Sequence, residues 1–143
     1  GKTIVLTTTN GTHAINMSRG ASKIVIGSFL NISALCTWLK TQSNDVLLLC
    51  SGWKDKVNLE DTLFAGGVVH YLKDENYALD DASIASEDLY NLAKGDLDLY
   101  LKKTSHSERL KKLGIEEDIA FCLNLDITSS IPVLDGDRLV KMV

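Results

Sequence analysis

Apolar residues fall in short runs divided by polar turns, and the spacing within each run predicts an element. Ile4-Val5-Leu6 is a β-branched run that stops at Thr7-Thr8-Thr9-Asn10-Gly11-Thr12 and is followed by small and apolar residues, which predicts strand, loop, helix. Lys23-Ile24-Val25-Ile26 repeats the scheme and ends at Gly27-Ser28. Asn31 is then placed to cap a helix whose apolar face is Ile32, Leu35, Cys36 and Leu39. Val46-Leu47-Leu48-Leu49-Cys50 is apolar on both faces, as a covered central strand would be. Asn58, with Asp61 three positions later, opens a helix from Leu59 to about Leu72. The Gly66-Gly67 pair inside it costs about 1 kcal/mol per glycine relative to alanine, which predicts a neighbour at close range. A long helical stretch runs from about Ala82 to Lys102 with Gly95 as a break. Ser105 and Glu108 form a capping box for a helix ended by Gly114, and Glu116 to Leu123 makes another short helix. Ile131-Pro132-Val133-Leu134 is a final strand, at an edge or starting at its proline.

Strands alternating with helices across short loops predict an α/β fold: three layers, α/β/α, around a mostly parallel central sheet, in a single domain over residues 1–143. The 143 residues are 45% hydrophobic, enough for a real core, and the net charge of −4 comes with scattered basic residues, so no nucleic-acid surface is expected. No apolar run approaches the roughly 20 residues a membrane span needs, and no leader opens the chain, so a cytoplasmic address is expected. Cys36, Cys50 and Cys122 lie far apart in apolar stretches, which predicts buried free thiols. Residue 1 stands just before an apolar strand without any lead-in, as in a chain that starts inside a longer protein.

Candidate chemistry lies in three places. In open α/β sheets ligands bind beyond the carboxyl ends of the strands, where Thr7 to Thr12, Gly27-Ser28 and Ser51-Gly52 would converge. Hydroxyls of Thr8, Thr9 and Thr12, the Asn10 amide and the N–H groups around Gly11 suit a tetrahedral oxyanion at a helix N-terminus, although the same residues also serve as an ordinary capped turn. Glu60 and Asp61, in a first helical turn, offer hard oxygen ligands of the kind that hold Mg2+, or merely complement the helix dipole. His106 can serve as a general acid toward a leaving oxygen and Arg109 can clamp phosphate or sulfonate, or both decorate a solvated helix. The acidic pairs Asp80-Asp81, Glu87-Asp88 and Glu116-Glu117 read as solvated helix starts, His13 and His70 as surface or packing residues, and Trp53 as a loop anchor. Cys50 has no arginine six positions on, and no glycine-rich Lys-Ser/Thr loop is present, which argues against cysteine phosphatases and nucleotide hydrolysis.

Four stretches together resemble the second half of the 2-phosphosulfolactate phosphatase family. They are Thr8-Thr9-Asn10-Gly11-Thr12, Ile26 to Asn31, Leu59-Glu60-Asp61-Thr62-Leu63 with Ala65-Gly66, and Ser105-His106 through Arg109-Leu110, continuing to Gly114, Asp118, Phe121-Cys122, Asp126 and Pro132-Val133-Leu134. The resemblance implies Mg2+-dependent hydrolysis of (R)-2-phospho-3-sulfolactate, a step of the coenzyme M biosynthesis type. It places Thr8, Thr9, Asn10, Gly11 and Thr12 on anionic groups, Ser28 and Asn31 at the pocket border, and Glu60 or Asp61 at the metal, with Asp61 and His106 the candidate catalytic pair. Members of the family are longer, and their first half carries Asp-x-Arg-Ala-Thr-Thr-Thr and Gly-Gly-Glu-Arg segments that this sequence lacks. The N-terminal half of the same protein is therefore an expected partner, without which the fragment need not be active, and a homo-oligomer is left open. The competing reading is a non-catalytic module that holds a phosphorylated or sulfonated metabolite.

Overall fold

The computed structural model describes residues 2–73, 78–114 and 116–142. Among the described residues there are seven α-helices: α1 (Thr9–Met17), α2 (Ile32–Leu39), α3 (Leu59–Leu72), α4 (Asp81–Ala93), α5 (Leu97–Leu101), α6 (Ser105–Leu113) and α7 (Glu116–Cys122). A hairpin of β1 (Pro132–Asp135) and β2 (Arg138–Lys141) follows. None of the helices among the described residues is long and apolar enough to cross a membrane.

Mixed helix and sheet is observed, but the only sheet among the described residues is this two-stranded antiparallel one. Residues 24–26 join it through an antiparallel bridge, Val25 opposite Val133, with Ile26 N donating to the Pro132 carbonyl and Leu134 N to the Ile24 carbonyl, each at 2.9 Å. Residues 4–6 and 46–50, expected as strands, join no ladder. Val5 is 91% and Leu47 86% exposed, whereas Val46 and Leu48 pack on the core. Their apolar composition favours strands, but a strand needs an edge partner, and among the described residues neither segment has one; 46–50 covers one face on the core and leaves the other open. β1 starts at its proline as expected, while β2 was not foreseen. Gly136-Asp137, with Gly136 at φ 57°, supplies the two-residue turn that pairs Asp135 with Arg138.

The core lies between α2, α3 and α4. Ile32, Leu63, Val68 and Leu101 are fully enclosed, each worth about 1.5 to 3 kcal/mol of transfer free energy. α3 is buried almost all round from Leu63 to Leu72, as expected of a helix with no polar face. Its glycine pair does admit a neighbour: a Cβ on Gly66 would lie 1.9 Å from the Ser86 carbonyl oxygen of α4, and one on Gly67 3.2 Å from the Tyr90 ring. Asn31 is buried and ties the turn before α2, accepting from Ser28 N at 2.9 Å and donating to the Ser130 carbonyl at 2.9 Å. Asp126 caps α2 from ninety-three positions away, accepting from Ser33 N at 2.8 Å and Ser33 Oγ at 2.6 Å.

Several local expectations need correction. The stretch from Ala82 to Lys102 does break at Gly95, into α4 capped by Asp80 and α5 capped by Asp96. α6 is capped by Thr104, whose hydroxyl accepts from Ser107 N at 3.1 Å, and Ser105 is its first helical residue. Both residues are good caps, so composition alone does not choose between them. Cys36 is buried and its thiol is pushed up to about 11 by burial, but Cys50 and Cys122 are exposed. The side chains of Glu116 and Glu117 lie outside the described residues, whereas Glu87 is no solvated helix start.

Glu87 is buried against α3, with Lys73 Nζ at 3.0 Å and His70 Nδ1 at 3.6 Å. The Lys73 hydrogen bond holds its carboxyl below the usual range. A depressed folded-state value means its stabilisation is present above the ordinary carboxylate range and is lost as pH falls through the lowered one. Melting temperature should therefore drop on acidification below about pH 4.5 in the native chain. Glu87→Gln should melt lower at neutral pH and with a flatter acid limb; parallel curves for the two proteins would deny the pair that role.

Candidate active site

The site is built on the start of α3. Asn58 caps it, its Oδ1 accepting from Glu60 N at 3.0 Å, and so fixes the turn that carries both acids. Asp61 is not the second half of a capping box. Its Oδ2 accepts from Gly52 N at 2.7 Å and Ser51 Oγ at 3.2 Å, tying the end of the 46–50 segment to the helix. Glu60 points elsewhere, as adjacent helical positions about 100° apart must, and its Oε2 lies 3.4 Å from His106 Nε2 on α6.

Arg109, one helical turn after His106, donates from Nη2 to His106 Nδ1 at 2.6 Å and stacks on Trp53 with its central carbon 3.6 Å from the ring centroid. Arginine cannot accept, so Nδ1 is the lone-pair nitrogen and Nε2 carries the hydrogen that faces Glu60. Burial, and after it the Arg109 charge, hold His106 below its ordinary range, against an opposing effect of Asp61. Burial and then Asp61 push the Glu60 carboxyl up, with Arg109 opposing. Arg109 Nε is buried and has no hydrogen-bond partner among the described residues, a cost of about 1 to 3 kcal/mol that the stack and the histidine bond must offset.

Glu60, Asp61 and His106 border one cavity of about 660 Å³, together with Ser51, Ser28, Gly11 and Asp118 at polar points of a mainly apolar wall. The cavity thus gathers the end of the 46–50 segment, the 27–28 turn, the start of α3, α6, α7 and the first turn of α1. Of the threonine-rich segment only Gly11 is in that wall. Thr8, Thr9 and Thr12 are exposed and Asn10 half-buried, because α1 starts at Thr9 and turns the segment into a helical first turn with Thr8 at the N-cap position. Thr8 N donates to Thr12 Oγ1 at 3.2 Å. Asn31 lies behind Ser28, outside the wall, and Arg109 is likewise absent from it.

Sequence reasoning missed Asp118 as a cavity residue and Trp53 as the partner of Arg109. Asp118 gave no local signal, but Gly52 directly before Trp53, and Lys54-Asp55 after it, marked a tight turn. For a metal, Glu60, Asp61 and Asp118 bring carboxylates to the cavity wall, although among the described residues no group of three His, Cys, Asp or Glu side chains could hold one. Asp61 has one oxygen committed to residues 51 and 52. Two carboxylates on one polar cavity edge still fit Mg2+, which keeps several waters and is often bound by one or two carboxylates plus substrate phosphate.

The fold is mixed helix and sheet, and one cavity edge brings together two acids, an imidazole and a helix N-terminus. The chain belongs to the family described as 2-phosphosulpholactate phosphatase, which matches residues 1–137. It is 42% identical to the probable 2-phosphosulfolactate phosphatase of Thermotoga maritima over 94% of this chain and 57% of that relative. It is 37% identical to the protein of that name from Caldanaerobacter subterraneus, over 94% of this chain and 56% of the relative. For Symbiobacterium thermophilum the figures are 34%, 99% and 62%. The chain thus spans a little over half the length of these curated relatives.

Proposed function

We propose that this chain supplies part of the centre of a Mg2+-dependent phosphatase acting on (R)-2-phospho-3-sulfolactate, in a step of the coenzyme M biosynthesis type. The observation that carries the reading is the convergence of Glu60, Asp61 and His106 on one cavity edge that Gly11, in the first turn of α1, also reaches. In hydrolysis a water oxygen bonds to phosphorus, the ester P–O bond breaks, and the departing alkoxide takes up a proton. Glu60 and Asp61 would hold the ion, which when bound offsets charge on the phosphate oxygens. His106, held below its ordinary range by burial and then by the Arg109 charge, with Nδ1 taken by Arg109, is a hydrogen-bond donor from Nε2 to the departing oxygen. A neutral imidazole is a poor source of a whole proton, so it stabilises developing charge and water completes the transfer. Backbone N–H groups at the start of α1 would orient the second anionic group.

The exposed apolar residues of the 4–6 and 46–50 segments favour a further reading of the fold. They are strands of a three-layer, mostly parallel sheet that closes when the rest of the family's length, the expected N-terminal half, adds neighbours and a covering layer. The test is phosphate release from 2-phosphosulfolactate by the 143-residue chain co-expressed with the unmatched part of the Thermotoga maritima relative. Turnover that requires Mg2+ is expected. Tight substrate binding with no phosphate release would instead favour a binding module.

A further inference from the structure

His106 and Arg109 of α6 meet Trp53 of the 53–56 turn beside the cavity, and the chemistry above assigns no role to Trp53. Trp53 opens a hairpin closed by Trp53 N donating to the Lys56 carbonyl at 2.9 Å and Lys56 N to the Trp53 carbonyl at 3.1 Å. The two central residues, Lys54 and Asp55, both take positive φ, 51° and 59°, where neither is glycine. Such left-handed pairs are costly for ordinary residues and persist where the surroundings over-determine them. Gly52, at φ 67°, has no room for a side chain, since a Cβ would lie 2.7 Å from the Lys56 carbonyl oxygen. Asp61 also holds the Gly52 N–H at 2.7 Å. The turn is thus clamped from both sides, and it presents the indole face to the Arg109 guanidinium, whose central carbon lies 3.6 Å over the ring centroid. A stacked guanidinium is held through its face and keeps its edge for in-plane hydrogen bonds. Nη2 spends that edge on His106 Nδ1 at 2.6 Å.

The geometry points to Trp53 and Arg109 as positioning residues that lock the His106 ring with Nδ1 occupied and Nε2–H turned toward Glu60 and the cavity. This rests on the reading of His106 as the group that meets the departing oxygen. Arg109 is then no anion clamp, in keeping with its absence from the cavity wall. The Trp53 turn becomes the element that couples the end of the 46–50 segment to α6. Indole stacking restricts Arg109 to one rotamer, and that rotamer decides which imidazole nitrogen is left to donate.

Ring nitrogen NMR on the 143-residue chain at about pH 8, above the ordinary imidazole range near 6.5, tests the lock. His106→Gln identifies the signals among the three histidines. The native ring is expected as a single form with bare Nδ1 and protonated Nε2. Arg109→Met and Trp53→Leu should each give a mixture of the two neutral forms, and Trp53→Phe should restore the native pattern. A native ring protonated on Nδ1, or a single Nε2–H form surviving both substitutions, overturns the proposal. Thermal melts confirm folding, and if Arg109→Met fails to fold, Trp53→Leu, which changes an exposed turn, decides alone. In the assembled phosphatase the same variants should lower kcat by roughly 10- to 100-fold with KM within about twofold. A raised KM at native kcat returns Arg109 to anion binding and overturns it. Complete absence of phosphate release by the native assembly refutes the catalytic reading, while the ring spectra still decide the positioning.

Discussion

Gly66→Ala is expected to destabilise the chain by at least about 3 kcal/mol, the upper range for overpacking. A Cβ there would stand 1.9 Å from the Ser86 carbonyl oxygen, 2.5 Å from its carbon and 3.0 Å from Tyr90 Cβ. The obstacle is backbone, so no rotamer change relieves it, and α4 must shift away from α3. That shift would open the contact that encloses Val68 and Tyr90, both buried in the core. Gly95→Ala is the matched control. Nothing lies within 4 Å of a Cβ at that position and its φ is not left-handed, so it should be neutral or slightly stabilising. Thermal melting of the two variants measures the difference; equal melting temperatures would mean that α3 and α4 do not approach through this glycine.

Removing the Glu60 carboxylate should cut phosphate release by about 100-fold or more at limiting Mg2+ while leaving the melting temperature nearly unchanged, because its side-chain partner among the described residues is the His106 ring at 3.4 Å and not the main chain. Asp61 separates into two roles. Asp61→Ala should lose turnover and also about 1 to 2 kcal/mol of stability, since Gly52 N and Ser51 Oγ lose their acceptor. Asp61→Asn keeps an oxygen for those donors and should recover the stability without the turnover. If Asp61→Asn turns over normally, the residue is a tether and nothing more.

Much of the helical framework was legible because its signals are local. Asn58 before Leu59 and the Gly66-Gly67 pair marked a capped helix and a close crossing, and both are found. The sheet was less legible, because pairing is a long-range property. The apolar run 46–50 says only that something should cover it, and the 24–26 segment pairs with β1 from more than a hundred positions away in the antiparallel sense. The tether role of Asp61 is less legible for a related reason: its first-turn position suits a cap, but the N–H of Gly52, nine positions earlier, takes its oxygen. The gathering of Glu60 and His106 at one cavity edge follows the order of the sequence motifs, whereas the Trp53 to Arg109 stack crosses fifty-six positions and leaves no periodic trace. Arg109 itself looked like an anion ligand because guanidinium suits phosphate; what it meets is decided by the turn at 53–56.

Broadening of amide signals by Mn2+, a paramagnetic stand-in for Mg2+, would locate the ion in the assembled protein. The strongest losses are expected at Gly52, Glu60, Asp61 and His106, relieved by excess Mg2+ and abolished in Glu60→Ala. Losses centred instead on Asp80-Asp81 or on the Asp135 to Asp137 turn, with the amides of residues 60 and 61 untouched, would place the ion elsewhere and remove the hydrolytic centre from this cavity.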